Sequence, residues 1–503
     1  MTRLWTVLHA LALPAAATDT FDCTKTCETL ASALPNLVSF PNSPSYIQHN
    51  AYWSARQSEV HPACFVAPRS TRDVSKAIAI LIGANAPFTV KAGGHTAFEN
   101  GSSTRGITVT LSSLTGITVS PDRRTVSVGA GNRWINVSSA LDPLNLAVVA
   151  GRSSTVGVSG LTLGGGISYF SGRYGWACDN VRSFEVVLAS GRVVNASPRE
   201  NRDLYWALRG GGGSNFGVVT RFDLAAFDQG ELWASSLVWP GSANRTLIPL
   251  MHELLVKGLP ADPAAHSYFV MGWVEQVGGY VALTDQFHSK HGDVAAVPEV
   301  FEKWHGDGAP PTLMKNTRMA NVSQLSRDIE QPSGMRQTWW ATSVRATATP
   351  QVLLDIVPLW EGYVARLLNA AAETGSKVTP YLIYQSISTN ILEAMQVNGG
   401  NALGLKPEDG PVMIVQLTAT WDKAELDEAV EGSTKDLIGE IDALASSRGA
   451  RSKNGFIYMN YAGKTQDVYV GYGKENQERL RKVASKYDPK GKFRGLWRGY
   501  FKV

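Results

Sequence analysis

The sequence predicts an α+β protein made of two unlike parts. Residues 60–228 alternate short β-rich runs with glycine turns, whereas residues 229–455 alternate long strands with long helical stretches. Antiparallel strands joined by helices form open sheets with helices on one face, so the second part should contain a large antiparallel sheet backed by helices. A chain of 503 residues that is 44% hydrophobic and 18% charged is long enough for more than one domain and apolar enough for a sizeable core.

The elements of the first part follow from local patterns. Runs of β-branched and aliphatic residues bounded by glycine or polar turns predict strands, and polar residues ahead of an apolar-periodic run predict a helix start. Thr71 and Asp73 lie near such a start. The predicted elements are strands over 106–111 and 125–129, a hairpin over 185–194, and helices over 70–82 and 203–208.

The second part has longer elements. Strands are predicted over 267–274 and 411–421, and helices over 350–372 and 423–445. In the first of these helices apolar side chains recur at helical spacing, and they are Val352, Leu353, Ile356, Leu359, Tyr363 and Leu367.

Residues 1–17 are typical of a secretory signal peptide. Arg3 precedes an apolar run over 4–13, and small residues follow it, with cleavage expected near Ala17. The run is too short to span a bilayer, and a surface helix is the alternative interpretation. Residues 18–59 then form an N-terminal arm. Five glycosylation sequons support a secreted protein, at Asn100, Asn136, Asn195, Asn244 and Asn321.

Charge and cysteine usage exclude several classes of partner. The formal net charge is +4, and Lys and Arg are scattered rather than clustered into a basic stripe, so no nucleic-acid partner is expected. No set of Cys and His has the spacing of a zinc site, and no metal is predicted. The oxidising secretory pathway permits a disulfide among Cys23, Cys27, Cys64 and Cys178.

Three glycine-rich loops carry most of the functional information. The segment 90–96 ends a β-branched run in Gly93, Gly94 and His95, and glycine backbones there can approach and cradle an anion. Further loops follow at 157–166 and 210–217. A single loop of this kind is usually a turn, and none has the context of a P-loop or a dinucleotide fold. Three together indicate a long, flat, phosphate-bearing cofactor.

Six motifs in chain order carry a family resemblance, at residues 91–95, 155–160, 172–180, 206–212, 458–461 and 486–489. With them the chain resembles the FAD-linked oxidases of the vanillyl-alcohol-oxidase type, within the berberine-bridge-enzyme-like branch. The resemblance implies a two-part FAD-binding domain of the PCMH type over 60–228 and 456–503, and a substrate domain over 229–455 whose sheet covers the cofactor. The residues that it implies in cofactor binding are Ala92, Gly93, Gly94, His95, Thr96, Ser153, Thr155, Val156, Gly157, Gly160, Gly164, Val219, Asn460 and Tyr461.

The resemblance also implies how FAD is attached. His95 stands where the family joins a histidine ring to the 8α-methyl group of the flavin, a cross-link that raises the reduction potential. Many relatives add a cysteinyl link, but Ser153 occupies that position here, and a serine cannot supply the reactive thiolate. We therefore expect FAD to be held by a single covalent link.

For the cysteines, the resemblance implies a bridge between the N-terminal arm and the first strand. It favours a disulfide between Cys27 and Cys64, with Cys23 as the alternative partner of Cys64. Cys178 lies among small residues and is expected to be a buried thiol.

The group that accepts a proton during hydride removal is harder to assign. Several relatives carry a tyrosine in the second glycine loop, where this chain has Ile167. Tyr461 is the first candidate, because the family motif brings its segment against the flavin, and Tyr384 and Gln416 on the covering strands are weaker ones. For each, a core or wall residue is the alternative. A free tyrosine has a pKa of about 10, so it needs a nearby cation or hydrogen-bond donor to act near neutral pH.

These features predict a secreted, monomeric FAD-linked oxidase. It would remove a hydride from a small secondary metabolite and pass the electrons to O₂, and the oxidation could trigger cyclisation. Val156 occupies a position that the resemblance associates with oxygen access, although a packing valine fits the same position. Neither a nucleic acid nor a membrane is expected as a partner. Oligosaccharide oxidation is one alternative function. A non-redox flavin-containing binding protein or cyclase is an alternative of another class.

Overall fold

Three β-sheets organise the part of the chain that the structure describes. The structure is a computed structural model that describes residues 23–346 and 349–503. The signal peptide predicted at residues 1–17 lies outside these residues. The sheets contain four, six and seven strands, and helices cover them. The predicted α+β class is therefore confirmed.

The first two sheets lie in the glycine-rich part of the chain. In the four-stranded sheet, β2 and β3 both run parallel to β4, and β1 is antiparallel to β2. In the six-stranded sheet, the long strand β10 pairs with β6, β7 and β8. The strands are β1 Val38–Ser39, β2 Cys64–Val66, β3 Phe88–Lys91, β4 Ile107–Thr110, β5 Ile117–Val119, β6 Thr125–Gly129, β7 Leu146–Val148, β8 Val181–Val187, β9 Val193–Ala196 and β10 Val218–Asp228.

The third sheet is the large antiparallel sheet that the sequence predicts. Its strand order is β14-β11-β13-β12-β16-β17-β15. Successive side chains of a strand point to opposite faces, and one face packs against two long helices. The strands are β11 Leu232–Pro240, β12 Ala265–Val274, β13 Gly279–His288, β14 Met314–Ala320, β15 Arg336–Arg345, β16 Val378–Ile387 and β17 Val412–Trp421.

The helices begin and end close to the predicted positions where local signals are strong. In α4, the Ser70 hydroxyl accepts a hydrogen bond from the Asp73 backbone N–H at 3.2 Å, which satisfies an end group of the helix. The α-helices are α1 Thr24–Ala33, α2 Pro44–His49, α3 Ala55–Ser58, α4 Thr71–Gly83, α5 Trp134–Leu141, α6 Val158–Leu163, α7 Ser171–Tyr174, α8 Arg202–Leu208, α9 Asn244–Glu253, α10 Leu259–Ala261, α11 Glu302–His305, α12 Val322–Asp328, α13 Gln351–Thr374, α14 Thr389–Ala394, α15 Asp427–Ser447, α16 Lys474–Tyr487 and α17 Lys492–Leu496.

Two large apolar clusters stabilise the fold. One fills the space between the first two sheets and their helices, and it includes residues from the C-terminal segment such as Tyr458 and Phe493. The other lies between the third sheet and helices α13 and α15, with Trp360 and Trp421 fully buried. The C-terminal segment thus packs into the glycine-rich part. Among the described residues, no helix combines the length and apolar composition needed to cross a bilayer.

Cysteine positions agree with the pairing that the resemblance favours. Cys27 of α1 and Cys64 of β2 form a disulfide that ties the N-terminal arm to the first sheet. Cys23 is buried one helical turn before Cys27, and Cys178 is buried elsewhere in the core.

One predicted glycosylation site is wrong. Asn244 begins α9 with only 6% of the residue exposed, so the folded protein has no room for a glycan on its side chain. Asn100, Asn136 and Asn195 are exposed and Asn321 is half-buried, and these four stay predictions.

Two glycine loops meet backbone to backbone beneath the third sheet. An added Cβ at Gly93 would lie 2.5 Å from the Cα and N atoms of Gly157, and one at Gly157 would lie 2.6 Å from the N atom of Gly93. Only residues without a Cβ allow this approach. The loop after β3 and the loop before α6 are thereby held in one fixed arrangement.

We expect Gly93→Ala to disturb this junction. The new methyl group would meet backbone atoms that cannot rotate away, and overpacking of this kind costs about 1–3 kcal/mol. Chemical unfolding should show a lower free energy of unfolding than the wild type. Gly83→Ala is the control, because a Cβ at Gly83 meets nothing within 4 Å. Equal stability of the Gly93 variant and the wild type would contradict the prediction.

Candidate active site

His95 is held rigidly on the turn that follows β3. Its Nε2 atom lies 3.1 Å from the Oγ1 atom of Thr155, which immediately precedes the motif of the second glycine loop. The ring of Trp53 stacks on the imidazole with a centroid distance of 4.1 Å and an interplanar angle of 11°. Burial lowers the pKa of His95 to about 3. The imidazole is therefore neutral near pH 7 and retains a nucleophilic ring nitrogen.

A single cavity joins the glycine loops to the third sheet. Most of the predicted cofactor-binding residues line it, namely Ala92, Gly93, Gly94, His95, Thr96, Ser153, Val156, Gly157, Gly160, Val219, Asn460 and Tyr461. Two predicted residues lie just behind the wall. Thr155 contacts His95, and Gly164 packs against Asn460, whose Oδ1 atom would lie 2.1 Å from a Cβ at Gly164.

The residues of this cavity fit FAD. Gly93, Gly157, Gly160 and Gly213 from the three glycine loops all line it, and a Cβ at Gly160 would meet nothing within 4 Å. Backbone N–H groups free of side chains can approach a pyrophosphate closely. The described residues contain no group of three or more His, Cys, Asp or Glu that could hold a metal ion.

The C-terminal motif brings Tyr461 to the cavity. Tyr458 accepts a hydrogen bond from the Gly166 backbone N–H at 2.9 Å, and the Asn460 side-chain amide donates to the Leu161 carbonyl at 2.9 Å. These bonds tie the motif to the second glycine loop. Tyr461 follows on a short 3₁₀ turn, and its ring packs edge-on against Trp339 with a centroid distance of 5.5 Å.

Sequence reasoning missed the cation beside Tyr461. Arg152 lies in the segment just before the second glycine loop, and its Nη2 atom donates to the Tyr461 hydroxyl oxygen at 3.0 Å. A guanidinium in this position stabilises negative charge on the phenol oxygen. The one signal in the sequence was the position of Arg152 directly before Ser153, in a segment already assigned to the cofactor.

The structure separates the two weaker catalytic candidates. Gln416 lines the cavity. Tyr384 was a wrong candidate, because it points to the opposite face of the sheet, where it is fully buried and donates to the Leu353 carbonyl at 2.7 Å. Tyr384 is a core residue between β16 and α13 and cannot reach a substrate. Ile167 also lines the cavity and leaves its position in the second loop without a phenol group.

Comparisons with known proteins agree with this site. A family model described as an FAD binding domain matches residues 62–197. The FAD-dependent monooxygenase tpcD of Cochliobolus heterostrophus is 36% identical over 464 residues, which cover 90% of this chain and 87% of that protein.

Solved structures share this fold at low sequence identity. The 6-hydroxy-D-nicotine oxidase of Arthrobacter nicotinovorans superposes with a TM-score of 0.73 at 22% identity, covering 92% of this chain and 96% of that one. The BBE-like 1 protein of Physcomitrella patens gives a TM-score of 0.72 at 20% identity, covering 93% and 97%. The long match to tpcD and the FAD-binding family model show that the chain belongs to the family of that FAD-dependent enzyme and is an FAD-dependent oxidoreductase, and its fold is that of the PCMH-type, berberine-bridge-enzyme-like FAD-linked proteins.

Proposed function

We propose that this FAD-dependent oxidoreductase is an oxidase that removes a hydride from a small secondary metabolite and passes two electrons to O₂, releasing H₂O₂. One observation carries the proposal. A single cavity brings the neutral imidazole of His95 together with Tyr461, whose phenol oxygen is hydrogen-bonded to Arg152. The oxidised product can then undergo cyclisation if it carries an internal nucleophile.

FAD, when bound, supplies the hydride acceptor of this reaction. The loops at Ala92–Thr96 and Gly157–Gly160 would hold it, and in our proposal His95 provides one covalent bond. The stacked Trp53 ring and the Thr155 hydroxyl orient the His95 imidazole for that bond. Ser153 has no thiolate to provide a second one.

Tyr461 is the proposed proton acceptor. Oxidation of an alcohol removes a hydride from the C–H bond and a proton from the O–H bond, leaving a carbonyl group. In this proposal the Tyr461 oxygen receives the proton, and Arg152, whose guanidinium donates a hydrogen bond to that oxygen at 3.0 Å, supplies the neighbouring cation. The aliphatic side chains of Val270, Leu283 and Ile383 line the same cavity and give it an apolar wall.

We expect Tyr461→Phe to lower kcat by about 10²–10⁴-fold, the usual contribution of a positioned acid or base. The amount of bound FAD should be unchanged, because the glycine loops hold the flavin and the Tyr461 hydroxyl does not. Tyr384→Phe is the matched control, because among residues 23–346 and 349–503 its hydroxyl bonds only to the core carbonyl of Leu353. It should leave kcat within about twofold and lower stability by about 1 kcal/mol. A Tyr461→Phe enzyme with wild-type kcat would disprove the assignment.

The covalent bond can be tested without turnover. Acid-precipitated wild-type protein should stay yellow, and His95→Ala should release its flavin into the supernatant. Ser153→Ala should keep the flavin in the pellet, because serine forms no link. The glycine loops remain in His95→Ala, so non-covalent binding can persist before acid treatment. Flavin that stays in the pellet of His95→Ala would show that another residue forms the bond.

Monooxygenation is a second candidate, favoured by the name of the relative tpcD. It would insert one oxygen atom of O₂ into the product and reduce the other to water, with the two electrons and two protons supplied by an added reductant such as a reduced nicotinamide. A panel of aromatic secondary metabolites and oligosaccharides, turned over under ¹⁸O₂, separates the possibilities. We expect one molecule of H₂O₂ for each molecule of organic product and no ¹⁸O in the organic product. Incorporation of ¹⁸O into the organic product would establish the monooxygenase. Turnover of oligosaccharides alone would establish the carbohydrate oxidase. If no substrate bleached the flavin, the non-redox role would remain.

We further propose that the protein is a monomer of the secretory pathway. The Cys27–Cys64 disulfide suits an oxidising compartment, and Asn100, Asn136 and Asn195 are exposed sequons. Loss of mass on enzymatic deglycosylation is the expected result, and unchanged mass would contradict it.

A further inference from the structure

The covering sheet presents a polar row to the cavity at one side. Asp285 of β13, Tyr268 of β12 and Gln385 of β16 are direct register partners on neighbouring strands, so they lie side by side on one face. All three line the cavity. The Asp285 carboxylate accepts hydrogen bonds from the Tyr268 hydroxyl and, at 2.5 Å, from the Ser236 hydroxyl. Gln385, at the other end of the row, therefore takes no part in these hydrogen bonds.

Gln385 has a buried side-chain amide that a ligand could hydrogen-bond. The residue is 1% exposed, and neither its Oε1 nor its Nε2 atom has a hydrogen-bond partner in the described part of the protein. Buried amide groups are normally hydrogen-bonded, and an unpaired one is costly. A ligand in the cavity would supply the missing partner.

Arg152 places a positive charge over this polar row. Its guanidinium carbon lies 4.9 Å from the centre of the Tyr268 ring. Its two side-chain hydrogen bonds run to an imidazole and a phenol rather than to a carboxylate, with Nη1 3.1 Å from His266 Nε2 and Nη2 3.0 Å from the Tyr461 oxygen. A guanidinium has five N–H donors, so donors remain for a further group.

His266 does not compensate the charge. Burial, and after it the positive charge of Arg152, holds the pKa of His266 well below its usual range, so the imidazole is neutral and accepts the Arg152 N–H. The Asp285 carboxylate accepts from the two hydroxyl groups of the row and is not a hydrogen-bond partner of Arg152. Among the described residues Arg152 makes no direct ion pair, and an anionic group on a ligand could form one with its free N–H donors.

The next row of the same sheet face holds three aliphatic side chains and one polar one. Leu283, Val270 and Ile383 are register partners on β13, β12 and β16, and Gln416 of β17 is the partner of Ile383. Beyond it, Tyr381 and Trp339 line the cavity. A planar ring system could lie across the aliphatic row, with one edge at the aromatic side chains and the other at Arg152.

We propose that Arg152 and Gln385 form a subsite for an anionic oxygen, a carboxylate or an ionised phenol or enol, on a flat aromatic substrate. The subsite rests on the proposed function in taking this cavity as the substrate cavity. It names the chemistry that the substrate must carry: a planar apolar body with one acidic oxygen beside Tyr461. It also disfavours a neutral oligosaccharide, which has no anionic group to pair with the guanidinium.

The test compares two ligands of the same shape that differ in charge. The probes are 2-naphthoate and 2-naphthamide, bound to the FAD-loaded enzyme and followed by calorimetry or by perturbation of the flavin absorbance. We expect naphthoate to bind at least tenfold more tightly than naphthamide. Arg152→Leu should abolish this preference, and Arg152→Lys should retain part of it, because the charge remains without the planar donors.

Arg173→Leu is the matched control. Arg173 is also a half-buried arginine stacked on a tyrosine ring, with its guanidinium carbon 4.6 Å from the Tyr174 centroid, but it does not line the cavity. Its loss should leave the preference for naphthoate unchanged. A parallel titration with 2-naphthol distinguishes the two sources of the anion. A naphtholate spectrum on binding indicates an ionised phenol or enol as the natural group, and a neutral spectrum beside tight naphthoate binding indicates a carboxylate.

Two outcomes would overturn the subsite. Equal affinity of the wild type for naphthoate and naphthamide would do so even if no variant folds. If Arg152→Leu kept the preference for naphthoate over naphthamide but lost turnover, the role of Arg152 would be to support Tyr461 and not to bind the substrate anion. Neither outcome affects the flavin tether or the fate of O₂, so failure of the subsite is distinguishable from failure of the proposed oxidase.

Discussion

The backbone contact between Gly93 and Gly157 sets the geometry on which the site depends. Because neither residue has a Cβ, the loop after β3 and the loop before α6 approach to a distance that any side chain would prevent. His95 lies two residues after the first glycine and meets Thr155, two residues before the second. Arg152 extends from that same loop before α6 to Tyr461. One junction thus positions both the proposed flavin ligand and the cation at the proposed base.

Much of the framework could be predicted because its signals are local. Helix α4 begins one residue after Ser70, whose hydroxyl caps it, and β6 has the predicted bounds Thr125–Gly129. The cofactor loops were recognisable for the same reason, since glycines next to a histidine mark a close backbone approach in the sequence itself. Helix α15 begins at Asp427, four residues later than predicted, because a 3₁₀ turn over Ala424–Leu426 precedes it.

Tyr384 and Arg152 show where local patterns stop being informative. Tyr384 and Gln385 are neighbours on β16, a strand that is covered on both faces, by α13 and by the cavity, so hydrophobic alternation does not reveal which residue faces the substrate. The pairing of Gln385 with Tyr268 decides it. The environment of Arg152 comes from His266 and Tyr461, which lie 114 and 309 residues away in the chain. No motif around Arg152 could indicate that its charge would lack a carboxylate partner.

The loop that carries Arg152 is fixed by the protein rather than by a second flavin bond. Next to Ser153, the Ser154 backbone N–H donates to the Ser326 carbonyl at 3.1 Å, and the Ser154 hydroxyl donates to a Glu330 carboxylate oxygen at 2.6 Å. These bonds hold the loop against α12 at the place where a cysteinyl relative would anchor it through the cofactor. The position of Arg152 relative to Tyr461 is then independent of the flavin link. In the proposed enzyme, electron acceptance depends on His95, and recognition of the substrate anion depends on Arg152. These two properties can therefore vary separately, although one glycine junction positions both residues.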